Sequence, residues 1–197
     1  MNVSASSAPR LFGFVADSEG PWRIDRMLCL TGEPMVAAPW LSVVAGMPAR
    51  PPSTGSWFLR GITSNERYLE RAEKVALLER QEGLGRASAT CAALIPIRKK
   101  ATWWALTQDE RREIFEARSR HIEVGLKYLP AIARRLLHCR DLGPDEPFDF
   151  LTWFEYAPSD AAAFEELVLA LRATPEWAYV DREVDLRLTR VRGHPNS

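Results

Sequence analysis

A chain of 197 residues, 46% hydrophobic and 10% aromatic, fits one large domain or two fused small ones and can bury a core without staples. Its 26 basic and 26 acidic residues cancel, which argues against nucleic acid or an anionic membrane as a bulk electrostatic partner. Cys29, Cys91 and Cys139 have neither paired nor metal-type spacing, residues 1–16 lack the pattern of a secretory signal, and no apolar run is long enough to span a membrane. Free thiols in a reducing compartment, and a cytoplasmic protein, are expected.

In chain order, strands are predicted at 11–16, 22–30 and 57–62, where short apolar runs are bounded by turn residues. Pro48, Pro51 and Pro52, with Gly46, Ser53, Thr54 and Gly55, mark a loop near 45–56. Ser64 is placed to cap a charged helix over about 65–80, ended by the turn at Gly83 and Gly85. Residues 89–97 (ATCAALIPI) read as a β-run. Thr107 and Glu110 form a capping box opening one helix that carries Ile114, Phe115, Ile122 and Leu126, with Gly125 and Pro130 weakening its far end. Segments 132–139 and 149–156 are expected to pair as antiparallel strands. Asp160 caps a second helix over 161–172, with Phe164, Leu167, Val168 and Leu171 on one stripe. Val184, Leu186 and Leu188 alternate with Asp185, Arg187 and Thr189, the pattern of a half-buried strand.

The resulting order, β-α-β-β-α-β, is the ferredoxin-like motif in an α+β protein, and the first half reads as a reduced partner of the same kind. The expected division is a truncated amino-terminal half at 1–88, a carboxy-terminal half at 89–192 and a tail at 193–197. An antiparallel sheet with helices on one face leaves the other face to build a pocket or an interface.

Chemistry has few candidates. Of three histidines, His194 lies in a polar tail, leaving His121 and His138. Neither belongs to a His-Glu-x-x-His motif, and zinc, c-type haem and nucleotide-binding motifs are all missing. Taken singly, His121 reads as a packed or surface histidine and Trp103 and Trp104 as core filling. Glu176 reads as a loop carboxylate, and Lys99 and Lys100 as an exposed pair. Arg134 and Arg135 are strand neighbours, so they must face opposite ways.

Together the segments say more. ATCAALIPIRK from Ala89, the tryptophan pair and the stretch Arg118 to His121 are followed by YLPAIARRLLHCRDLG from Tyr128, FDFLTWFE from Phe148 and EWAYVDREVDLRL from Glu176. From about Gly61 to Arg190 the chain resembles the chlorite dismutase family, in its short, dimer-forming version. That resemblance implies ferredoxin-like repeats closing an antiparallel sheet or barrel with helices outside, in the dimeric α+β barrel superfamily. It also implies a haem b enzyme that decomposes the small anion chlorite to chloride and dioxygen, forming the O–O bond by way of transient hypochlorite, in a homodimer. By the same resemblance His121 is the iron ligand and Glu176 the carboxylate on its far ring nitrogen. Arg134 is the mobile distal arginine, with Gln81 nearby. Lys99, Trp103 and Trp104 surround the haem edge and its proximal side, and Tyr68 approaches the propionates. Glu183 stands where the longer version of the family carries tryptophan. A haem peroxidase, a haem decarboxylase or a haem-binding sensor of the same superfamily is the alternative.

Overall fold

A computed structural model describes residues 10–47, 57–64, 75 and 82–191. The strands are β1 (Leu11–Asp17), β2 (Trp22–Thr31), β3 (Trp40–Ala45), β4 (Phe58–Thr63), β5 (Cys91–Lys99), β6 (Ala133–His138), β7 (Phe150–Tyr156) and β8 (Val180–Arg190). They close an antiparallel barrel in the order β1-β3-β2-β8-β5-β7-β6-β4. Within β1–β4 the spatial order is fourth, first, third, second strand, and β5–β8 repeat it. The fold is therefore α+β, with the ferredoxin-like arrangement used twice. The two halves are sewn together by β2 against β8 and β4 against β6.

The halves differ in their crossovers. Ala16 and Asp17 at the end of β1 pair with Leu41 and Trp40, and so do Trp22 and Arg23 at the start of β2. Because β2 begins where β1 stops along their shared neighbour, residues 18–21 suffice to connect them and no helix is needed. β3 has no counterpart in the sequence reading, which assigns residues 40–44 to no element; Pro39 and Gly46 bound its six residues. The predicted helix at 65–80 lies outside the described residues except at Val75, which is helical. In the second half, α1 (Ala101–Ala105), α2 (Gln108–Arg112), a π-helical turn (Glu113–Arg118) and α3 (His121–Lys127) connect β5 to β6, and α4 (Ala161–Arg172) connects β7 to β8. Among the described residues no helix is long and apolar enough to cross a membrane.

The predicted single helix from Thr107 is thus three pieces. Its capping box is present: Glu110 Oε2 accepts from the Thr107 N–H at 2.7 Å and from Oγ1 at 2.9 Å. The break, however, falls at Ser119 and Arg120 rather than at Gly125, with Arg120 in the left-handed region at φ 50°. Asp160 likewise makes no side-chain capping bond; Pro158 opens a 3₁₀ turn that leads into α4 instead.

Strand alternation sorts side chains into two cores. Phe14, Trp22, Leu41, Leu94, Trp153 and Leu186 pack inside the barrel, with Trp22 set edge-on to Trp153 at 5.2 Å between ring centroids. On the outside of β5–β8, Ile95, Ile97, Phe154 and Val180 pack against Phe164, Leu167 and Val168 of α4. The face expected to be left for a pocket is therefore the filled barrel interior. β8 also departs from expectation, since both of its faces are buried from Glu183 to Leu188. Its charged side chains are covered by α4 and neutralised there: Arg172 reaches Glu183 and Asp185, and Arg187 reaches Asp185 and Glu165.

Replacing Trp153 by alanine should cost about 3–5 kcal/mol, read from urea unfolding, because the barrel interior cannot close over so large a void. Burial pushes the Asp185 pKa up, but the hydrogen bonds and charges of Arg187 and Arg172 outweigh it and leave the pKa below the ordinary aspartate value. The stability this contributes is present above that ordinary value, about 3.9, and drains away as pH falls through the lower folded-state pKa. Asp185→Asn should flatten that acid-side fall, measured as urea midpoints between about pH 7 and pH 3.

Candidate active site

Between the outer face of the second half-barrel and its helices lies a cleft of about 1090 Å³, counted out to its open mouth. Its walls are mainly apolar, from Ile95, Ile97, Phe150, Phe154 and Leu171, with His121, Glu176, Lys99 and Arg134 as the charged or titratable groups.

His121 is the first residue of α3, and local structure fixes where it points. The π-helical turn before it ends at Arg118, and the left-handed Arg120 redirects the chain so that α3 starts on a new axis. A non-glycine residue in that region costs on the order of 1 kcal/mol or more. Arg120 gives α3 no side-chain cap; Glu116 reaches forward instead, accepting the Ile122 N–H at 2.9 Å. Phe115 stacks on the His121 ring at 4.3 Å between centroids and 22° between planes.

Nδ1 of His121 lies 2.8 Å from Glu176 Oε2. The other carboxylate oxygen accepts from Lys99 Nζ at 2.7 Å, and the Glu176 N–H donates to Ser119 Oγ at 3.0 Å. Burial would raise the Glu176 pKa, but the charges of His121 and Lys99 and the hydrogen bonds they make bring it down to about 2. An ionised carboxylate only accepts, so a neutral His121 ring facing it carries its proton on Nδ1 and presents the Nε2 lone pair. The His121 side chain is 20% exposed, opening on the cleft.

Glu176 is carried by a 3₁₀ turn (Pro175–Tyr179) that is itself tied down. Trp177 Nε1 donates to Glu183 at 2.8 Å, and Arg172 Nε donates to the same carboxylate at 2.7 Å. Glu183 is thus a support for the turn that bears Glu176. Lys99 ends β5, where its backbone N–H donates to Asp149 Oδ2 at 2.7 Å and its ammonium lies over Trp103 at 4.8 Å.

Arg134, on β6, faces the cleft, while Arg135 turns inward and stacks 3.7 Å over Phe12. Loss of water lowers the Arg134 pKa, yet a guanidinium remains charged in any protein environment. Trp103 lines the cleft and Trp104 does not: it lies a layer behind, stacked on Phe150 and donating to Asp149 at 3.2 Å. His138 is buried, edge-on to both Trp104 and Phe150. Tyr68, Gln81 and His194 lie outside the described residues. Sequence reading missed Ser119, Phe115, Glu116 and Asp149. The polar residues next to His121 were the available signal, but their contacts form only once the π-helical turn and the break are in place.

A closed barrel of two ferredoxin-like halves, with a histidine backed by a buried carboxylate in an apolar cleft outside the sheet, defines a class of α+β barrel with its site between sheet and helices. The family model described as chlorite dismutase matches residues 54–192, and the chain belongs to that family. It is 57% identical to the crystal structure of dimeric chlorite dismutase from Nitrobacter winogradskyi, with a TM-score of 0.83 over 91% of this chain and 99% of that one. A variant chlorite dismutase from Candidatus Nitrospira defluvii in complex with cyanide shares the fold at 20% identity, with a TM-score of 0.66 over 94% of this chain and 92% of that one. The chlorite dismutase of Ideonella dechloratans is 32% identical over 123 residues, which is 61% of this chain and 40% of that enzyme's length.

Glu176→Ala should leave the Lys99 ammonium buried without its carboxylate and cost about 3–5 kcal/mol in urea unfolding. Adding Lys99→Met should restore a good part of that loss, and a double-mutant cycle gives the coupling.

Proposed function

We propose that this chain is a haem b chlorite dismutase, decomposing chlorite to chloride and dioxygen, and that it works as a homodimer. The observation that carries the reading is the buried Glu176 carboxylate bonded to His121 at 2.8 Å, in the same apolar cleft as Arg134. The 57% identity to a dimeric chlorite dismutase over 91% of the chain supports it.

Three features suit haem. A single imidazole with Nδ1 committed and Nε2 available is an axial ligand, and among the described residues no group of three or more His, Cys, Asp or Glu competes as a metal cage. Apolar walls suit the porphyrin faces. The Trp103 indole N–H is buried at the cleft wall with no partner among the described residues, a donor suited to a carboxylate or a water. What haem supplies when bound is the redox chemistry of Cl–O cleavage and O–O formation.

The rest is work for the protein's own groups. His121 would hold the iron through Nε2. Glu176 would keep the proton on Nδ1, fixing the tautomer and raising the basicity of the imidazole. Lys99 would neutralise the carboxylate, and Trp103 would wall that side. Chlorite is an anion at neutral pH, so no base is needed to deprotonate it; a cation is needed to attract it. Arg134 would donate to chlorite and then hold the hypochlorite formed in transit until its oxygen is used. A fixed charged donor in a dry site contributes about 2–4 kcal/mol. Gln81 would steady Arg134, and Tyr68 would approach the propionates. Cys29, Cys91 and Cys139 are free thiols, which suits the cytoplasm and a role in chlorite detoxification.

Haem-loaded protein given chlorite in an oxygen electrode should release dioxygen rapidly. Arg134→Ala should be slower by about tenfold or more and should bleach its Soret band in fewer turnovers. No dioxygen from protein with a full Soret band would reject the dismutase reading. His121→Ala should fail to take up haem in a Soret titration.

A further inference from the structure

Gly125 lies four residues after His121 on α3, so the two occupy one face of the helix. It is buried, and its backbone is not in the left-handed region that would call for glycine. A helical glycine costs stability relative to alanine, so something other than backbone geometry keeps it small. The neighbour that a side chain would meet is Arg134. A Cβ at Gly125 would overlap Nη1 and lie 3.2 Å from Cζ and 3.4 Å from Nη2. The guanidinium fills the room that any other residue would need. It does so near the carboxy-terminal end of α3, where the helix dipole favours a cation.

We propose that Gly125 is a positioning residue, whose missing side chain is the seat of the Arg134 guanidinium and sets how far that arginine stands off α3 over the sheet side of the cleft. Arg134 is rooted in the sheet, on β6, whereas His121 and Gly125 belong to α3. A methyl group in the seat pushes the guanidinium away from α3 and back over the sheet side, where a small anion opposite His121 would lie. The displaced atoms are the far end of a flexible side chain, so the fold survives and the arginine moves. The consequence for anions rests on the proposed function; the contact itself does not.

The test uses Gly125→Ala, Arg134→Ala and the double variant. In haem-loaded protein with cyanide as the anionic probe, Gly125→Ala should lower the dissociation constant at least about threefold, read from the Soret shift, because a charged donor gains occupancy beside the anion. In the Arg134→Ala background the same substitution should change nothing. Without haem, melting temperatures report the seat directly. With Arg134→Ala, nothing opposes the methyl, and Gly125→Ala should raise the melting temperature by about 2–4 °C through helix propensity alone. With Arg134 present, the gain should be smaller. Equal gains in both backgrounds, or cyanide affinity that is unchanged, weakened or altered equally in both, would overturn the proposal. Protein that releases no dioxygen from chlorite yet shows the thermal coupling would keep the seat and lose the dismutase reading.

Discussion

The buried Glu176 carboxylate is the constraint on which the rest of the site depends. A carboxylate taken out of water is stable only if charge and hydrogen bonds replace the solvent it loses. Here Lys99 at the end of β5 and His121 at the start of α3 supply them, while Ser119 in the break before α3 accepts from the Glu176 N–H, and Trp177 and Arg172 steady the 3₁₀ turn through Glu183. Each partner belongs to a different element, so satisfying one carboxylate locks sheet, helix and turn into a single arrangement. Of the two groups that bond the carboxylate, the ring of His121 is the exposed one, at 20% against 3% for Lys99. Its orientation is a consequence of that lock.

The barrel places this lock outside rather than inside. The interior is filled by Phe14, Trp22, Trp153 and their neighbours. On the outer face of β5–β8, α4 packs against β5, β7 and β8 through Phe164, Leu167 and Val168, and the cleft is lined from the same face and from His121 and Ile122 of α3. In the first half four residues connect β1 to β2, and among the described residues no helix covers that crossover. Duplication of one strand order therefore yields two unlike halves, and the second half has the helices to build a site.

Legibility followed how local the signals were. Short apolar runs between turn residues marked β1, β2, β4, β5, β6 and β7 to within a few residues, and the Thr107–Glu110 box marked the start of α2. β3 was lost because Pro39 and Gly46 are ordinary loop signals and its partners lie on β1 and β2, out of reach of any local pattern. β8 looked half-buried because Asp185 and Arg187 alternate with leucines, yet they are covered by α4 and neutralised by Arg172 and Glu165. Arg134 and Arg135 could be divided between two faces from strand geometry alone. Which of them meets the cleft came from resemblance, not from that geometry.

What the sequence by itself determined is the set of elements, their ferredoxin-like order in the second half, and the family, because these rest on periodicity, capping and long matching segments. What only the tertiary structure decided is the face that carries the cleft, the break at Arg120 that aims His121, the place of Trp104 behind Phe150, and the room at Gly125 for the guanidinium. Each of those depends on contacts between residues distant along the chain or on a backbone turn with no propensity signal. No pattern confined to neighbouring residues contains them.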